Sequence, residues 1–261
     1  MSTGSFRADY QDMVQGGTKR KVFIPIPFYL VHHSIHGLIL IDIGLGEHYP
    51  RDLKNWYLNR WLETQLPSEF SPSDSAKSQL QKMGITSDQI QKVIFTHLHF
   101  DHMHGVTDFP TATLVVAREE WQAFESQSRF WGRLKGYMTD LKSAIQNRLQ
   151  LIDFESNSKV DPFEKVYDLF QDGSVLLIST PGHTPGHQSV LLKLNSNERV
   201  LLTGDAVWVR EGYEKPAPKS FLVRHLEEDN KKAWETTKLI HQFYLKNPEV
   251  KIITGHQPFN E

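Results

Sequence analysis

The chain has no cysteine. Disulfides, thiolate metal ligands and a cysteine nucleophile are therefore excluded. It also lacks any apolar run near the length of a membrane span. Residues 1–15 are polar, without the apolar stretch of a secretory leader. No membrane partner is expected, and the expected location is cytoplasmic. Concentrated positive charge is absent too. The net charge is −2, with no basic run beyond Lys19-Arg20-Lys21, which argues against nucleic acid as a partner. What is present is a globular composition, 39% hydrophobic and 23% charged over 261 residues. That is enough for a packed core and too apolar for a disordered chain. No linker or internal repeat divides the sequence, so a single domain over residues 1–261 is expected.

Apolar runs bounded by turn residues predict strands at 22–33, 38–41, 92–96, Thr113–Ala117, Val175–Ser179 and 250–253. Residues 188–194 and 200–203 read as a hairpin through Asn195-Ser196-Asn197. Residues 1–20 read as an arm or loop. Helices are expected over 50–66, 75–83, 118–126 and 230–244, with Ser87 capping a short one. Residues 127–165 mix aromatics with charges and read as a helical insertion. One feature recurs. Strands run into polar tips, at Asp42, at His97 and His99, at His183, at Asp205 and at His256.

The densest tip is His97-Leu98-His99-Phe100-Asp101-His102, directly after the apolar run Val93-Ile94-Phe95. With 13 histidines in 261 residues, such a cluster arises by chance in roughly one chain in a thousand. Imidazole nitrogen suits zinc and its first-row neighbours, and a carboxylate adds charge. On a helix, His97 and His99 would face different ways. In extended chain, i and i+2 point the same way. The cluster is therefore expected on a strand end passing into a turn.

Three further segments carry the same chemistry. Thr180-Pro181-Gly182-His183-Thr184-Pro185-Gly186-His187 doubles a Pro-Gly-His turn, which fixes the backbone and sets the angle of His183. His187 reads as a residue that orients the loop. Thr203-Gly204-Asp205-Ala206 offers a carboxylate, whose two oxygens can bridge two cations. Gly255-His256 ends the last strand. Together these supply His97, His99 and His183 for one ion and Asp101, His102 and His256 for a second, with Asp205 between them. That ligand count fits a two-metal hydrolytic site taking Zn, Mn, Fe or Co.

In order and spacing, these residues resemble the metallo-β-lactamase-fold hydrolase superfamily from Asp42 to His256. The resemblance implies a four-layer αββα sandwich of α/β class with a di-metal site at one edge of its two sheets. It also implies that Asp42 supports the histidine loop without binding metal. His-Leu-His-Phe-Asp-His and the doubled Pro-Gly-His are most similar to the N-acyl-homoserine lactone lactonases. The implied activity is hydrolysis of an ester-like bond in a small molecule, with Asp101 passing a proton to the leaving alkoxide. The chain departs from that branch where Trp208 stands in place of a substrate-contacting tyrosine. Tyr213 is a candidate substitute, and His104 a candidate substrate contact. Trp56, Trp61, Phe130, Trp131 and Trp208 are candidates for an apolar substrate wall. A glyoxalase-II-like thioesterase shares the ligand pattern, although His104-Gly105-Val106 departs from it. A phosphodiesterase or organophosphate hydrolase and a di-iron redox module are the other readings.

Overall fold

The computed structural model describes residues 1–49, 69–154, 158–194, 198–221 and 223–258. The helix expected over 50–66, with Trp56 and Trp61, and the turn Asn195-Ser196-Asn197 lie outside the described residues. Strands β1 (Ser2–Asp9) and β2 (Lys21–Pro27) pair as a two-stranded sheet. This corrects the reading of residues 1–20 as an arm. The reason lies in what β1 buries. Thr3 and Ser5 point inward, and the Thr3 hydroxyl accepts from Leu45 N at 2.9 Å. An inward face of hydroxyls leaves no hydrophobic alternation to read. The run 22–33 also divides at buried Phe28, with β2 joining β1 and β3 (Tyr29–His33) entering another sheet.

Two compact units follow from the chain's contacts. The first comprises Met1–Arg7, Phe23–Val116 and Phe124–Leu151. Its sheet has the order β3, β4 (Gly37–Ile41), β5 (Ile90–Ile94), β6 (Thr113–Ala117), β7 (Leu149–Ile152). The strands β4, β5 and β6 run parallel. Ile39, Leu40, Ile41, Val93, Ile94, Leu114 and Val115 are fully buried, as expected of parallel strands covered on both faces. Ile41 pairs with Ile94, so the two strands release Asp42 and Phe95-Thr96 at the same edge.

The second unit comprises Ala8–Val22, Ala117–Ala123 and Ile152–Glu261. It holds β8 (Ser158–Val160), β9 (Phe163–Asp168), β10 (Val175–Ser179), β11 (Gln188–Lys193), β12 (Arg199–Leu202) and β13 (Lys251–Ile253). They form one sheet in the order β13-β12-β11-β10-β9-β8. The helix Asn230–Lys246, capped by Asp229, packs Ile240 and Phe243 against Phe163, Val166, Ile178 and Leu201. Strands β11 and β12 are antiparallel and β13 runs parallel to β12. Leu202 pairs with Ile253, so Asp205 and His256 each lie three residues past that pair.

The insertion expected over 127–165 is only partly helical. Helices Arg129–Leu134 and Lys142–Ile145 occupy its first half, and β7, β8 and the start of β9 its second. Strands of three to six residues are too short to show a period. Among the described residues, no helix is long and apolar enough to cross a membrane.

Arg148 closes the first unit. Its guanidinium donates to the carbonyls of Phe109, Ala112, Val106 and Ala144 at 2.6, 3.1, 3.3 and 2.7 Å. Arg148→Met is expected to lower stability by about 2–4 kcal/mol, because charge-assisted bonds to several carbonyls are lost together. Urea unfolding checks this; an unchanged midpoint would show that the carbonyls find other donors.

Candidate metal centre

The first group of donors grows from the ends of β4 and β5. Asp42 leaves β4 with φ +50, a left-handed conformation that a side chain normally avoids. Its carboxylate holds the next segment in return. Asp42 Oδ1 accepts from Thr96 N at 2.8 Å, and Oδ2 accepts from Thr96 Oγ1 and His102 Nδ1, both at 2.8 Å. A carboxylate only accepts, so His102 carries its proton on Nδ1. The Thr96 hydroxyl spends its proton on Asp42 and accepts from His97 Nδ1 at 3.1 Å. Both rings are thereby set in the tautomer that leaves Nε2 as the lone-pair nitrogen.

His99 is extended (φ −71, ψ 154) and leads into the short helix Phe100–Met103, which carries Asp101 and His102. The His97 ring centroid lies 4.6 Å from that of His99 and 4.1 Å from that of His102. His102 Nε2 is 3.6 Å from Asp101 Oδ2. All four side chains are buried. Tyr137 packs edge-on to His99 at 4.9 Å.

The second group belongs to the second unit. His183 and His256 bring Nε2 to 3.4 and 3.2 Å from the Asp205 carboxylate. Two glycines permit this. At Gly182, φ is +136 and a Cβ would meet Ala233 N at 2.2 Å. At Gly255 a Cβ would stand 2.5 Å from Asp205 Oδ1, so any other residue there would push the β13 tip off the carboxylate. His187 accepts from Asp205 N at 3.0 Å through Nε2, and its Nδ1 is 2.9 Å from Thr180 Oγ1. The residue that follows β10's turn thus steadies the backbone that follows β12.

His183 Nδ1 lies 3.2 Å from Glu227 Oε1, and Lys219 pairs with the same carboxylate. Burial is the largest influence on Glu227 and pushes its carboxyl up. Lys219 and His183 together outweigh it and hold the group at about 2. Neither Glu227 nor Lys219 stands out in the sequence. Glu227-Glu228-Asp229 reads as an acidic surface run before a helix, and only Asp229 plays that part, as N-cap. Glu120, buried and accepting from Gly186 N at 3.2 Å, is equally silent.

The proposed substrate contacts fare differently. Trp208 is buried, and its Nε1 donates to Asp205 Oδ2 at 3.0 Å. Tyr213 belongs to the core with Phe163, Ile240 and Phe243, its ring 5.3 Å from that of Tyr244. Burial there pushes its hydroxyl up. His104 is buried, and its Nδ1 accepts from Gly46 N at 3.1 Å, fixing a turn. Phe130 and Trp131 are at least half exposed. A cavity of about 410 Å³ adjoins Trp208 within the second unit, walled by Met13, Pro218 and Trp234 and bordered by Arg224. Trp234, on the helix Asn230–Lys246, was not among the residues expected to line a substrate wall.

In donor chemistry, buried imidazoles and carboxylates in these two groups fit Zn, Mn, Fe or Co. The N-acyl homoserine lactonase AttM of Rhizobium radiobacter is 27% identical over 237 residues, 90% of this chain and 82% of that protein. An N-acyl homoserine lactonase of Bacillus cereus is 28% identical over 195 residues, 75% of this chain and 69% of that protein. A solved N-acyl homoserine lactone hydrolase, with the product N-hexanoyl-L-homoserine at its catalytic metal centre, matches with a TM-score of 0.76 and 25% identity. That match covers 98% of this chain and 91% of the other. The sequence profile of the metallo-β-lactamase superfamily matches residues 23–250, and this protein belongs to that superfamily.

Proposed function

We propose that this protein is a metal-dependent hydrolase that opens lactones of the N-acyl homoserine lactone type. One observation carries the chemistry: two imidazole Nε2 atoms converge on the single carboxylate of Asp205, at 3.4 and 3.2 Å. A carboxylate so placed could serve two cations, which an imidazole cannot do. On this reading His97, His99 and His183 would hold one ion, Asp101, His102 and His256 would hold the other, and Asp205 would be shared. Names and activities of the lactonase relatives support the choice of substrate.

When bound, two divalent ions, zinc by preference, would make water nucleophilic near neutral pH and polarise a carbonyl. The chain's own residues do the rest. Asp42 and Thr96 keep His102 and His97 in the Nε2-ligand tautomer. Glu227 does the same for His183, and His187 holds Asp205 by its backbone. Asp101, through a carboxylate oxygen, would take up the proton lost by the attacking water and pass it to the leaving alkoxide as the ester C–O bond breaks. The Trp208–Trp234 cavity takes the apolar part of the substrate. Trp208 spends its N–H on Asp205 and so acts on the substrate through its ring face.

Purified protein should contain close to two metal ions per chain, and Asp205→Ala should lower both metal content and turnover, the latter by about 100-fold or more. Elemental analysis with steady-state kinetics tests this; full activity without metal would sink the mechanism. Across acyl-homoserine lactones, simple lactones, thioesters and phosphotriesters, kcat/KM should be highest for the acyl-homoserine lactones. A preference for thioesters or phosphotriesters would overturn the substrate assignment. Trp234→Ala should raise KM about tenfold for long acyl chains, a loss of ~1.4 kcal/mol of apolar contact, with kcat little changed. Equal KM values for short and long chains in both proteins would remove the cavity from the substrate site.

A further inference from the structure

Lys219 has three anchors, all inside the second unit. Its ammonium pairs with Glu227 Oε1, donates to the Asp205 carbonyl oxygen at 2.9 Å and sits 4.3 Å from the centre of the Trp208 ring. Each anchor leads to a residue assigned above to a metal ion. Glu227 Oε1 is the partner of His183 Nδ1. The carbonyl is Asp205's own. Trp208 Nε1 donates to the Asp205 carboxylate. The Lys219 side chain is only 10% exposed, whereas lysine ordinarily carries its ammonium out to water. Arg224 Nε donates to the Lys219 carbonyl at 3.1 Å and fixes the segment that delivers it.

We propose that Lys219 is a positioning residue that joins His183 and Asp205 into one rigid pair. The sheet fixes β10 and β12 through β11, but His183 and Asp205 lie past the ends of those strands, at Ser179 and Leu202, where the ladder no longer holds their side chains. The ammonium holds Glu227 where it accepts the His183 Nδ1 proton, which aims Nε2 as the ligand atom. The same ammonium holds the Asp205 peptide from its carbonyl side, opposite the bond from His187 to its N–H. Through Trp208 it also holds the side chain. Partners behind metal-binding histidines commonly govern affinity in this way. The role rests on the two-metal reading above.

The experiment uses the full chain, loaded with zinc for competition against a chromophoric chelator and with cobalt(II) for visible absorption. Lys219→Met keeps the apolar stem and removes the charge and its donors. It should weaken the ion held with His183 by about 10- to 100-fold, change the other ion less and alter the cobalt bands. Glu227→Gln, which keeps the shape of the carboxylate, should shift affinity in the same direction and decides the matter should Lys219→Met not fold. Lys219→Arg, retaining the charge, should recover part of the affinity. Wild-type affinity and bands in the decisive variant overturn the proposal, as does equal weakening of both ions with unaltered bands, which marks a merely structural role. The wild-type protein separates the two ideas. If it takes up two ions while the variants match it, only the role of Lys219 falls; if it takes up fewer, the two-metal reading falls and this proposal with it.

Discussion

Three hydrogen bonds to one buried carboxylate organise the first donor group. Asp42 accepts from the Thr96 amide, the Thr96 hydroxyl and His102 Nδ1. Everything between β5 and the helix Phe100–Met103 is hung from these bonds. They fix where the chain leaves the sheet, and through Thr96 they reach His97 as well. Such bonds to an ionised acceptor are stronger than neutral ones, and burial strengthens them further. The strained φ of Asp42 is local evidence that the surrounding contacts over-determine this residue.

The second unit solves the same problem with different parts. Asp205 receives its backbone restraint from His187 and from Lys219, and its carboxylate is reached by Trp208, His183 and His256. Here the doubled Pro-Gly-His turn contributes twice: its first histidine faces the carboxylate, and its second holds the peptide beneath it. Trp208 turns its indole nitrogen inward to the Asp205 carboxylate, and its side chain lines the neighbouring cavity.

Legibility in the sequence followed physical cause. The histidine cluster could be read because extended chain puts His97 and His99 on one side, and the structure has that geometry. The parallel strands could be read because their residues are uniformly apolar. Strand β1 could not, because it buries hydroxyls. Glu227, Lys219 and Glu120 could not, because burial of a charged residue depends on partners distant in the chain. The surroundings of Tyr213 and His104 were not legible for a related reason. Residue type alone suggested a substrate contact, but Tyr213 sits on the core side of its helix turn, and His104 is consumed by the amide of Gly46. The mixed α/β fold was legible through the family resemblance that the motifs and their order carry.

The parallel register of β12 and β13 has a consequence for how such a protein can vary. Asp205 and His256 are each three residues from the last pair, Leu202 with Ile253. Asp205 sits in a short helical turn over Gly204–Ala206 and His256 in a turn past β13, so removing one residue from either tip would move its side chain out of the place it now holds. Apart from Gly255, whose missing side chain is required, composition around these tips can change as long as chain length does not. The arrangement is therefore counted in residues more than in side-chain identities, and new chemistry is more readily reached by exchanging side chains such as Trp208 than by lengthening or shortening the strand ends that carry them.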